Sequence, residues 1–261
     1  MTNQIYSTEI TDNQWHLIKD LLPAPASTGR PREVELRAVV NACFYLLVGG
    51  CQWRLLPKEY PKWQTVYYYF RLWQRTQLWQ QIHDRLRSQV RRSAKRHKHP
   101  TAGCLDSQSV KTTATPGVRG FDNGKKVNGR KRHLLVDTLG LLLVVVVHAA
   151  DVSESAGARL VIKQMTGSCK KLRRSWLDGG YRGTLFDWAF SVFRLVLQVV
   201  KPAPEQKGFA VLPRRWVVER TFAWLSNHRR LSKGYERETT TSEAFIQIAM
   251  MRLMLRRLQP K

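Results

Sequence analysis

Cysteine is sparse in this chain of 261 residues: it occurs four times, and no two cysteines form a CxxC pair. Zinc sites and disulfide frameworks are built from closely spaced cysteines, so we expect neither. A secretory signal is also missing, because MTNQIYSTEI has neither a basic start nor an apolar core. The longest apolar run, Leu141 to Ala150, is too short to span a bilayer. These absences favour a soluble protein of the reducing cytoplasm.

Acidic residues are also few, since aspartate and glutamate number 19 against 44 lysines and arginines, a net charge of +25. Such an excess repels itself unless an anionic partner screens it. Nucleic acid is the partner that this charge favours most. An acidic membrane surface is the alternative, but the basic residues are spread along the whole chain instead of forming one amphipathic face. We therefore expect no membrane partner.

The first third of the sequence has helical periodicity interrupted by prolines. Helices are predicted over residues 11–21, 34–47, 64–73 and 79–90. The second and third, separated by a proline-containing turn, could form a helix-turn-helix-like module that reads DNA. The segment RRSAKRHKHP then has the composition of a linker. We predict a helical DNA-binding domain over residues 1–98, with this linker at its end, and a catalytic domain over residues 99–261.

From Cys104 onward the periodicity changes to that of β-strands. Strands are predicted at residues 103–106, 131–137, 141–149, 172–177 and 193–200, with helices at 153–165, 185–190, 213–225 and 242–258. The second and third strands indicate a hairpin joined by Asp137-Thr-Leu-Gly140. The predicted order is three strands followed by a helix, a strand, a helix, a strand and a helix. This order is the layout of a ribonuclease-H-like core. The predicted fold is an α/β ribonuclease-H-like core, a mixed five-stranded sheet flanked by helices, after an all-helical domain.

Three carboxylates stand out in this layout: Asp106 ends the first strand, Asp178 follows the fourth, and Glu219 lies on a late helix. Strand ends in an open α/β sheet face a crevice where ligands gather. Carboxylates converging there would repel one another unless cations held them, and hard oxygen donors select Mg²⁺ or Mn²⁺. Two such ions, roughly 3.5–4 Å apart, can activate an attacking water or hydroxyl and stabilise the leaving oxygen of a phosphodiester. We expect Asp106 to bridge both ions and Asp178 and Glu219 each to complete one.

Each of these residues has an ordinary alternative. An Asp at a strand end is often a turn cap, and a Glu in an arginine-rich helix is often half of an ion pair. Among other polar residues, Asp137 suits the hairpin turn and Ser153 suits the cap of the next helix. Asp151 and Glu154 also fit that capping. The histidines that show no ligand spacing and are expected to be structural are His16, His83, His133, His148 and His228.

Six segments carry a resemblance that covers nearly the whole chain. They are Arg54-Leu-Leu-Pro57, Trp63-Gln-Thr-Val-Tyr-Tyr-Tyr-Phe70, Asp106-Ser-Gln-Ser-Val-Lys-Thr112, Gly129-Arg-Lys-Arg-His-Leu-Leu-Val-Asp137, Asp178-Gly-Gly-Tyr181 and Arg214-Arg-Trp-Val-Val-Glu-Arg-Thr-Phe-Ala-Trp-Leu225. In them the sequence resembles bacterial insertion-sequence transposases of the insertion-sequence-5 family. The resemblance implies that Asp106, Asp178 and Glu219 are the DDE triad, with Arg215 as the arginine four residues before the glutamate.

Two positions depart from the signature of that family. Leu212 and Ser226 stand where a tyrosine and a basic residue are usual. Arg229 or Arg230 could supply the basic group instead. The departure concerns the basic member of the motif and leaves the three carboxylates in place.

Basic residues beside the expected active site and in the helical domain are candidates for contact with DNA. The segment Gly124-Lys-Lys-Val-Asn-Gly-Arg-Lys-Arg-His133 could place cations beside the metals, and a solvated surface loop is its alternative interpretation. In the helical domain, exposed arginines suit phosphate contact better than the aromatic residues, which suit a core. The DNA-binding candidates are Lys111, Lys125, Lys126, Arg130, Lys131, Arg132, Arg215, Arg229, Arg230, Arg54 and Arg71.

The predicted function is that of a DDE transposase, an endonuclease that cuts transposon ends and transfers strands to target DNA with two divalent ions per active site, Mg²⁺ or alternatively Mn²⁺. The resemblance implies double-stranded DNA partners, namely terminal inverted repeats and target, bound by a homodimer or larger assembly associated with the bacterial nucleoid. One alternative is a ribonuclease-H-like nuclease, which would cut without preference for such ends and would not join strands. Another is a non-catalytic DNA-binding regulator derived from a transposase, against which the intact triad argues.

Overall fold

The computed structural model describes residues 5–25, 29, 31–165, 167–200 and 214–260, which form two compact units. The first unit runs up to Ala94 and also takes in Asn227–Leu231 and the chain from Ala244 onward. The second unit is Lys95–Ser226 with Ser232–Glu243. The prediction placed everything after residue 98 in one domain, whereas most of the last helix groups with the amino-terminal helices. The grouping has a packing reason, because Phe245 stacks on Phe70 with ring centroids 4.9 Å apart.

The first unit is helical, as the sequence predicts. Its first four helices are α1 (Asp12–His16), α2 (Leu36–Gly49), α3 (Trp63–Arg75) and α4 (Leu78–Ser93). Helix α1 begins with a capping box, in which the Thr11 hydroxyl accepts the Gln14 N–H and the Gln14 side chain accepts the Thr11 N–H, both at 3.2 Å. Trp73 of α3 and Trp79 of α4 pack edge to face at 5.0 Å. Of the aromatic residues that the sequence assigned to a core, Phe70 is buried, whereas Tyr67 and Tyr68 are 39% and 55% exposed, so the prediction holds only in part.

The second unit is built on one mixed sheet, which has six strands in the described part of the chain. The strands are β1 (Ala102–Lys111), β2 (Gly120–Asp122), β3 (Val127–Asp137), β4 (Leu142–Ala149), β5 (Arg174–Leu177) and β6 (Val196–Val199). Their order is β4-β3-β1-β5-β6, and β2 also pairs with β3. Strands β1, β5 and β6 are parallel, whereas β2, β3 and β4 pair in antiparallel fashion. Five of the six strands were predicted. Strand β2 was missed because three residues are too few to show the alternation of apolar and polar side chains that indicates a strand.

The β3–β4 hairpin forms where it was predicted, and Asp137 holds its turn. The Asp137 carboxylate accepts the N–H groups of Leu139 and Leu141, both at 2.9 Å. Gly140 has φ of +79°, and a Cβ there would lie 2.9 Å from the Thr221 hydroxyl. Glycine therefore serves both the left-handed backbone and a close approach by the next helix.

Strand β1 does not end at Asp106, as predicted, but continues to Lys111. Asp106 sits mid-strand opposite Leu134 of β3. On its other edge β1 pairs with β5 only over Ala102–Cys104. The sequence did not indicate this continuation, because most residues from Asp106 to Lys111 are polar. A segment that pairs with one neighbouring strand can be polar on both faces and then lacks the alternation of apolar and polar residues that predicts a strand.

The predicted basic loop is mostly strand, since β3 starts at Val127. Arg130, Lys131 and Arg132 lie in β3 and are 2%, 4% and 2% exposed. Arg130 donates to the carbonyl oxygens of Val118, Glu236 and Arg237 at 2.7, 2.6 and 2.7 Å. These three side chains are therefore structural, which corrects their assignment to DNA contact.

Four further helices complete the described chain: α5 (Glu154–Lys163), α6 (Leu185–Phe193), α7 (Trp216–Ser226) and α8 (Thr239–Leu258). Ser153 caps α5 by accepting the Ala156 N–H at 3.3 Å, as predicted. The predicted opening of α7 at Pro213 lies outside the described residues. Among the helices described here, none combines the length and apolarity needed to cross a membrane. All four cysteines are free thiols.

The side chains on the two faces of β1 point toward different helices. Leu105 belongs to one buried cluster with Val161 of α5 and Leu185 of α6. On the opposite face, the Cys104 thiol donates to the carbonyl oxygen of Arg214, just before α7, at 3.1 Å. Side chains alternate along a strand, so Asp106 shares the face of Cys104 and points toward the α7 side. The fold thus brings the first carboxylate toward the helix that carries Glu219.

Arg130→Met is expected to destabilise the protein by roughly 2–4 kcal/mol, because it removes a buried cation and leaves three backbone carbonyl groups without their donor. Chemical denaturation followed by circular dichroism measures the loss. Arg119→Met, at an exposed arginine in the same region, is the matched control and should change stability by less than about 0.5 kcal/mol. Equal stability of the two variants would contradict the structural role of Arg130.

Candidate active site

Asp106 and Asp178 become neighbours through the register of the parallel strands β1 and β5. Cys104 pairs with Trp176, and two residues farther along each strand come Asp106 and Asp178. Both therefore follow the point where the parallel pairing stops, the place in an α/β sheet where ligands bind. The Asp178 carboxylate also accepts the Gly180 N–H at 2.8 Å, which fixes the turn after β5.

The Asp106 carboxylate is the group most perturbed by this arrangement. Burial raises its pKa to about 7, and the negative charge of Asp178 adds to the rise. The N–H of Ser107 donates to it at 2.7 Å, and the charges of Arg215 and Lys125 also favour ionisation, but together they do not offset burial. A carboxylate in this state is stabilised by any cation that comes close to it.

Helix α7 brings Glu219 and Arg215 to the same site, and several contacts fix its position in the second unit. The guanidinium of Arg214 lies over the ring of Trp176, 4.6 Å from its centroid. The Thr221 hydroxyl donates to the carbonyl oxygen of Gly140 at 2.9 Å. One end of α7 is thus tied to β5, and its middle is tied to the β3–β4 turn.

Arg215 links the second and third carboxylates. Its guanidinium donates to Glu219 one helical turn later at 2.7 Å, and it lies 3.9 Å from the nearer carboxylate oxygen of Asp178. Burial alone would lower the pKa of Arg215, but the Glu219 hydrogen bond and the nearby Asp106 charge raise it instead. The arginine is therefore a permanent cation among three carboxylates.

The donor set suits a hard divalent cation. All three residues offer carboxylate oxygens, the ligands that Mg²⁺ and Mn²⁺ take in proteins. Asp106 is half-buried with a raised pKa beside a second aspartate, which is the environment that a bound cation relieves. In residues 5–260 as described, no three His, Cys, Asp or Glu side chains already form a metal-binding group, and Glu219 pairs with Arg215. The residue types fit the cation, with Glu219 held by an arginine at the same site.

Two family models match the chain, and together they cover most of it. Residues 10–83 match the model described as "Putative transposase of IS4/5 family". Residues 97–254, more than half of the chain, match the model described as "Transposase DDE domain". The chain belongs to the DDE transposases. No curated protein and no solved structure matches it.

Membership in the DDE transposase family confirms several predictions. The second unit is a DDE domain of the ribonuclease-H-like fold, and the transposase is an enzyme that acts on DNA. DDE domains depend on a divalent metal, which agrees with the carboxylate donors found here. The three-carboxylate site is thus the candidate active site of a transposase.

The structure adds a polar network on the opposite face of β1 that the sequence did not indicate. Glu154, predicted only to cap α5, accepts the Ser107 hydroxyl at 2.7 Å and pairs with Lys131 at 3.1 Å. His133 contacts the Tyr181 hydroxyl and His148, both at 3.0 Å. Burial is the largest factor that lowers the pKa of each histidine, so both are neutral near pH 7. The network joins residues next to Asp106 and after Asp178, and only folding brings its members together.

The tautomers of His133 and His148 follow from the groups that they contact. The Nδ1 of His148 contacts the carbonyl oxygen of Ala149 at 2.8 Å, and a carbonyl can only accept, so Nδ1 carries the proton. The Nε2 of neutral His148 then accepts from Nδ1–H of His133. His133 is left with Nε2 as an acceptor for the Tyr181 hydroxyl. The two histidines are structural, as predicted, and they fix the tyrosine that ends the Asp178 turn.

The remaining DNA-binding candidates differ in exposure. Arg230 is 7% exposed, donates to the carbonyl oxygen of Cys51 at 2.7 Å, and lies over the ring of Phe245. These contacts hold its guanidinium within the first unit, which corrects its assignment to DNA contact. Arg71 and Arg215 are half-buried. The exposed candidates are Lys111, Lys125, Lys126, Arg229 and Arg54.

The two departures from the family signature have different outcomes. Leu212 lies outside the described residues. The Ser226 hydroxyl donates to the carbonyl oxygen of Phe222 at 3.0 Å, so it closes the last turn of α7. Arg229 therefore remains the candidate for the basic member.

Asp106→Asn is expected to raise the melting temperature in metal-free buffer. A carboxyl whose pKa is raised on folding destabilises the folded state once the pH exceeds its unfolded value of about 4, and this penalty grows until about pH 7. The amide removes the penalty, so the gain in Tm should be larger at pH 8 than at pH 5. Each kcal/mol corresponds to roughly 2–4 °C in a chain of this size.

Calorimetry at the two pH values makes this measurement. Asp187→Asn, at an exposed aspartate on α6, is the matched control and should show no such pH dependence. A lower Tm of Asp106→Asn at pH 8 would mean that the ionised carboxylate stabilises the fold without a metal.

Proposed function

We propose that this transposase hydrolyses one strand at each end of its own element and then joins the freed 3′-hydroxyl to target DNA. The observation that supports it best is the placement of Asp106 beside Asp178 at the edge of β1 and β5, with Glu219 linked to Asp178 through Arg215. Carboxylates alone would repel a phosphodiester, so the site requires cations to accept one. The same three residues are the proposed DDE triad.

Both chemical steps exchange one phosphorus–oxygen bond for another. In the first, a water loses a proton as its oxygen bonds to phosphorus, the bond to the 3′-oxygen breaks, and that oxygen gains a proton to become a 3′-hydroxyl. In the second, this hydroxyl loses its proton and attacks a target phosphodiester, whose own 3′-oxygen leaves and is protonated. No covalent link to the protein forms at either step.

The carboxylates would hold two divalent ions, Mg²⁺ in preference to Mn²⁺, with Asp106 shared and Asp178 and Glu219 each completing one site. When bound, such a pair activates the attacking oxygen and stabilises the leaving one. Arg215 would contribute a fixed positive charge beside the phosphate and orient Glu219 through its 2.7 Å hydrogen bond.

The helical unit is proposed to read the terminal inverted repeats through α2 and α3, as a helix-turn-helix-like module. The turn between them contains a short 3₁₀ segment, Trp53–Leu55, which carries the exposed Arg54. The guanidinium of Arg54 lies 5.6 Å from the centroid of the Trp63 ring, and Arg71 of α3 donates to Gln74 at 3.3 Å. Both arginines would contact phosphates, and two or more copies of the chain would bring two ends together.

Asp106→Asn, Asp178→Asn and Glu219→Gln should each abolish metal-dependent nicking of a supercoiled plasmid that carries the gene with its flanking DNA. Each should still shift a labelled duplex from either flank in a gel, because the amide removes a metal ligand and keeps the shape of the side chain. Removing a triad ligand should slow nicking by at least about 10³-fold. Quenched-flow sampling in Mg²⁺ gives the rates.

Asp187→Asn is the control for a lost carboxylate and should nick like the wild type. Undiminished nicking by any triad variant would reject that residue as a ligand. Product analysis separates the nuclease alternative, which would cut unrelated plasmid equally well and give no joined strands. A wild-type protein that binds the flanks but never nicks would favour the regulator.

A further inference from the structure

Asp122, at the end of β2, fixes the turn between β2 and β3. One oxygen of its carboxylate accepts the N–H groups of Gly124 and Lys125, each at 3.0 Å. The other accepts the Ser109 hydroxyl of β1 at 2.6 Å and lies 3.5 Å from the buried ammonium of Lys131. One side chain thus joins the β2–β3 turn to the strand that carries Asp106.

The turn is held by an ionised carboxylate. Burial favours the neutral form, but the Ser109 hydroxyl, the Lys125 N–H and the Lys131 charge outweigh it and lower the pKa of Asp122 to about 2. Asp122 is 8% exposed, so its hydrogen bonds are shielded from water. The backbone of Lys125 therefore has a fixed position in the second unit.

From this position the Lys125 side chain reaches the catalytic strand. Its ammonium donates to the carbonyl oxygen of Ser107 at 3.2 Å, next to Asp106. Its charge is among those that favour ionisation of Asp106. An ammonium has three N–H donors, and the Ser107 carbonyl takes one. Lys125 is exposed, whereas the other cation of the site, Arg215, is engaged with Glu219.

We propose that Lys125 is a catalytic residue whose ammonium binds a non-bridging oxygen of the phosphate being cut, and that Asp122 is the positioning residue that aims it. The inference rests on the proposed cleavage reaction and assigns Lys125 a role at the reacting phosphate, distinct from a general attraction for DNA. Negative charge on the non-bridging oxygens grows as the attacking oxygen bonds to phosphorus, so the ammonium stabilises the transition state more than the bound substrate and speeds the chemical step. Lys131, in contrast, is buried in the pair with Glu154 and acts only through Asp122 and β1.

The test is single-turnover nicking of the same supercoiled plasmid in Mg²⁺ with protein in excess, together with the affinity for a flank duplex. Lys125→Ala should slow nicking by roughly ten- to a hundred-fold with little change in affinity, and Lys125→Arg should retain most of the rate. Asp122→Ala should slow nicking similarly, and the double variant should be no slower than the slower single variant, because both act through one ammonium. Lys163→Ala, at an exposed lysine ending α5, is the charge-matched control and should nick like the wild type.

Each other outcome counts against the proposal. Wild-type nicking by Lys125→Ala would overturn the role of Lys125 and leave the triad assignment intact. An equal loss in Lys126→Ala would show that the turn acts only as a basic patch. A loss in Asp122→Ala that adds fully to that of Lys125→Ala would reject the positioning role. Failure of the wild type itself to nick would remove both the proposed function and this inference.

Discussion

The candidate site depends on one constraint, which is that the half-buried carboxylate of Asp106 lies beside a second aspartate and needs a nearby cation or a proton. Burial and the charge of Asp178 raise its pKa to about 7, although the Ser107 N–H and two basic side chains oppose the rise. The sheet imposes this cost, because the register of β1 and β5 brings the two aspartates together. Helix α7 brings a third carboxylate along with Arg215. The candidate site therefore favours the binding of positive charge, which the proposed phosphodiester chemistry requires.

The rest of the second unit supports that cluster from both faces of β1. On one face, Cys104 and Trp176 fix the start of α7 through Arg214. On the other, Ser107 and Ser109 donate to Glu154 and Asp122, which share the buried Lys131. A buried ion cluster of this kind costs desolvation and contributes less to stability than to a defined geometry. These contacts hold the strand that carries Asp106 in one position.

The sequence was informative wherever one local rule decided the outcome. The apolar run 141–149 predicted a buried strand, Ser153 predicted a helix cap, and Asp137 predicted a turn, all confirmed. It was uninformative for buried charges. Arg130 and Lys131 look like a basic loop, because their partners Glu236, Arg237, Asp122 and Glu154 lie elsewhere in the chain. In a sequence, a charged residue is expected to be exposed unless its partner is known, and these partners become neighbours only on folding. The order of the elements and the family resemblance therefore identified the three carboxylates, but they did not identify the network around them.

The most direct test of the account is a crystal structure of the transposase grown with Mn²⁺, with anomalous scattering used to locate the ions. Anomalous peaks are expected within about 2.0–2.4 Å of carboxylate oxygens of Asp106, Asp178 and Glu219, with Asp106 contacting both ions. Glu219 would turn from Arg215 toward the metal. Peaks confined to other residues, in a crystal where these three carboxylates are ordered, would contradict the central claim that they hold the ions together.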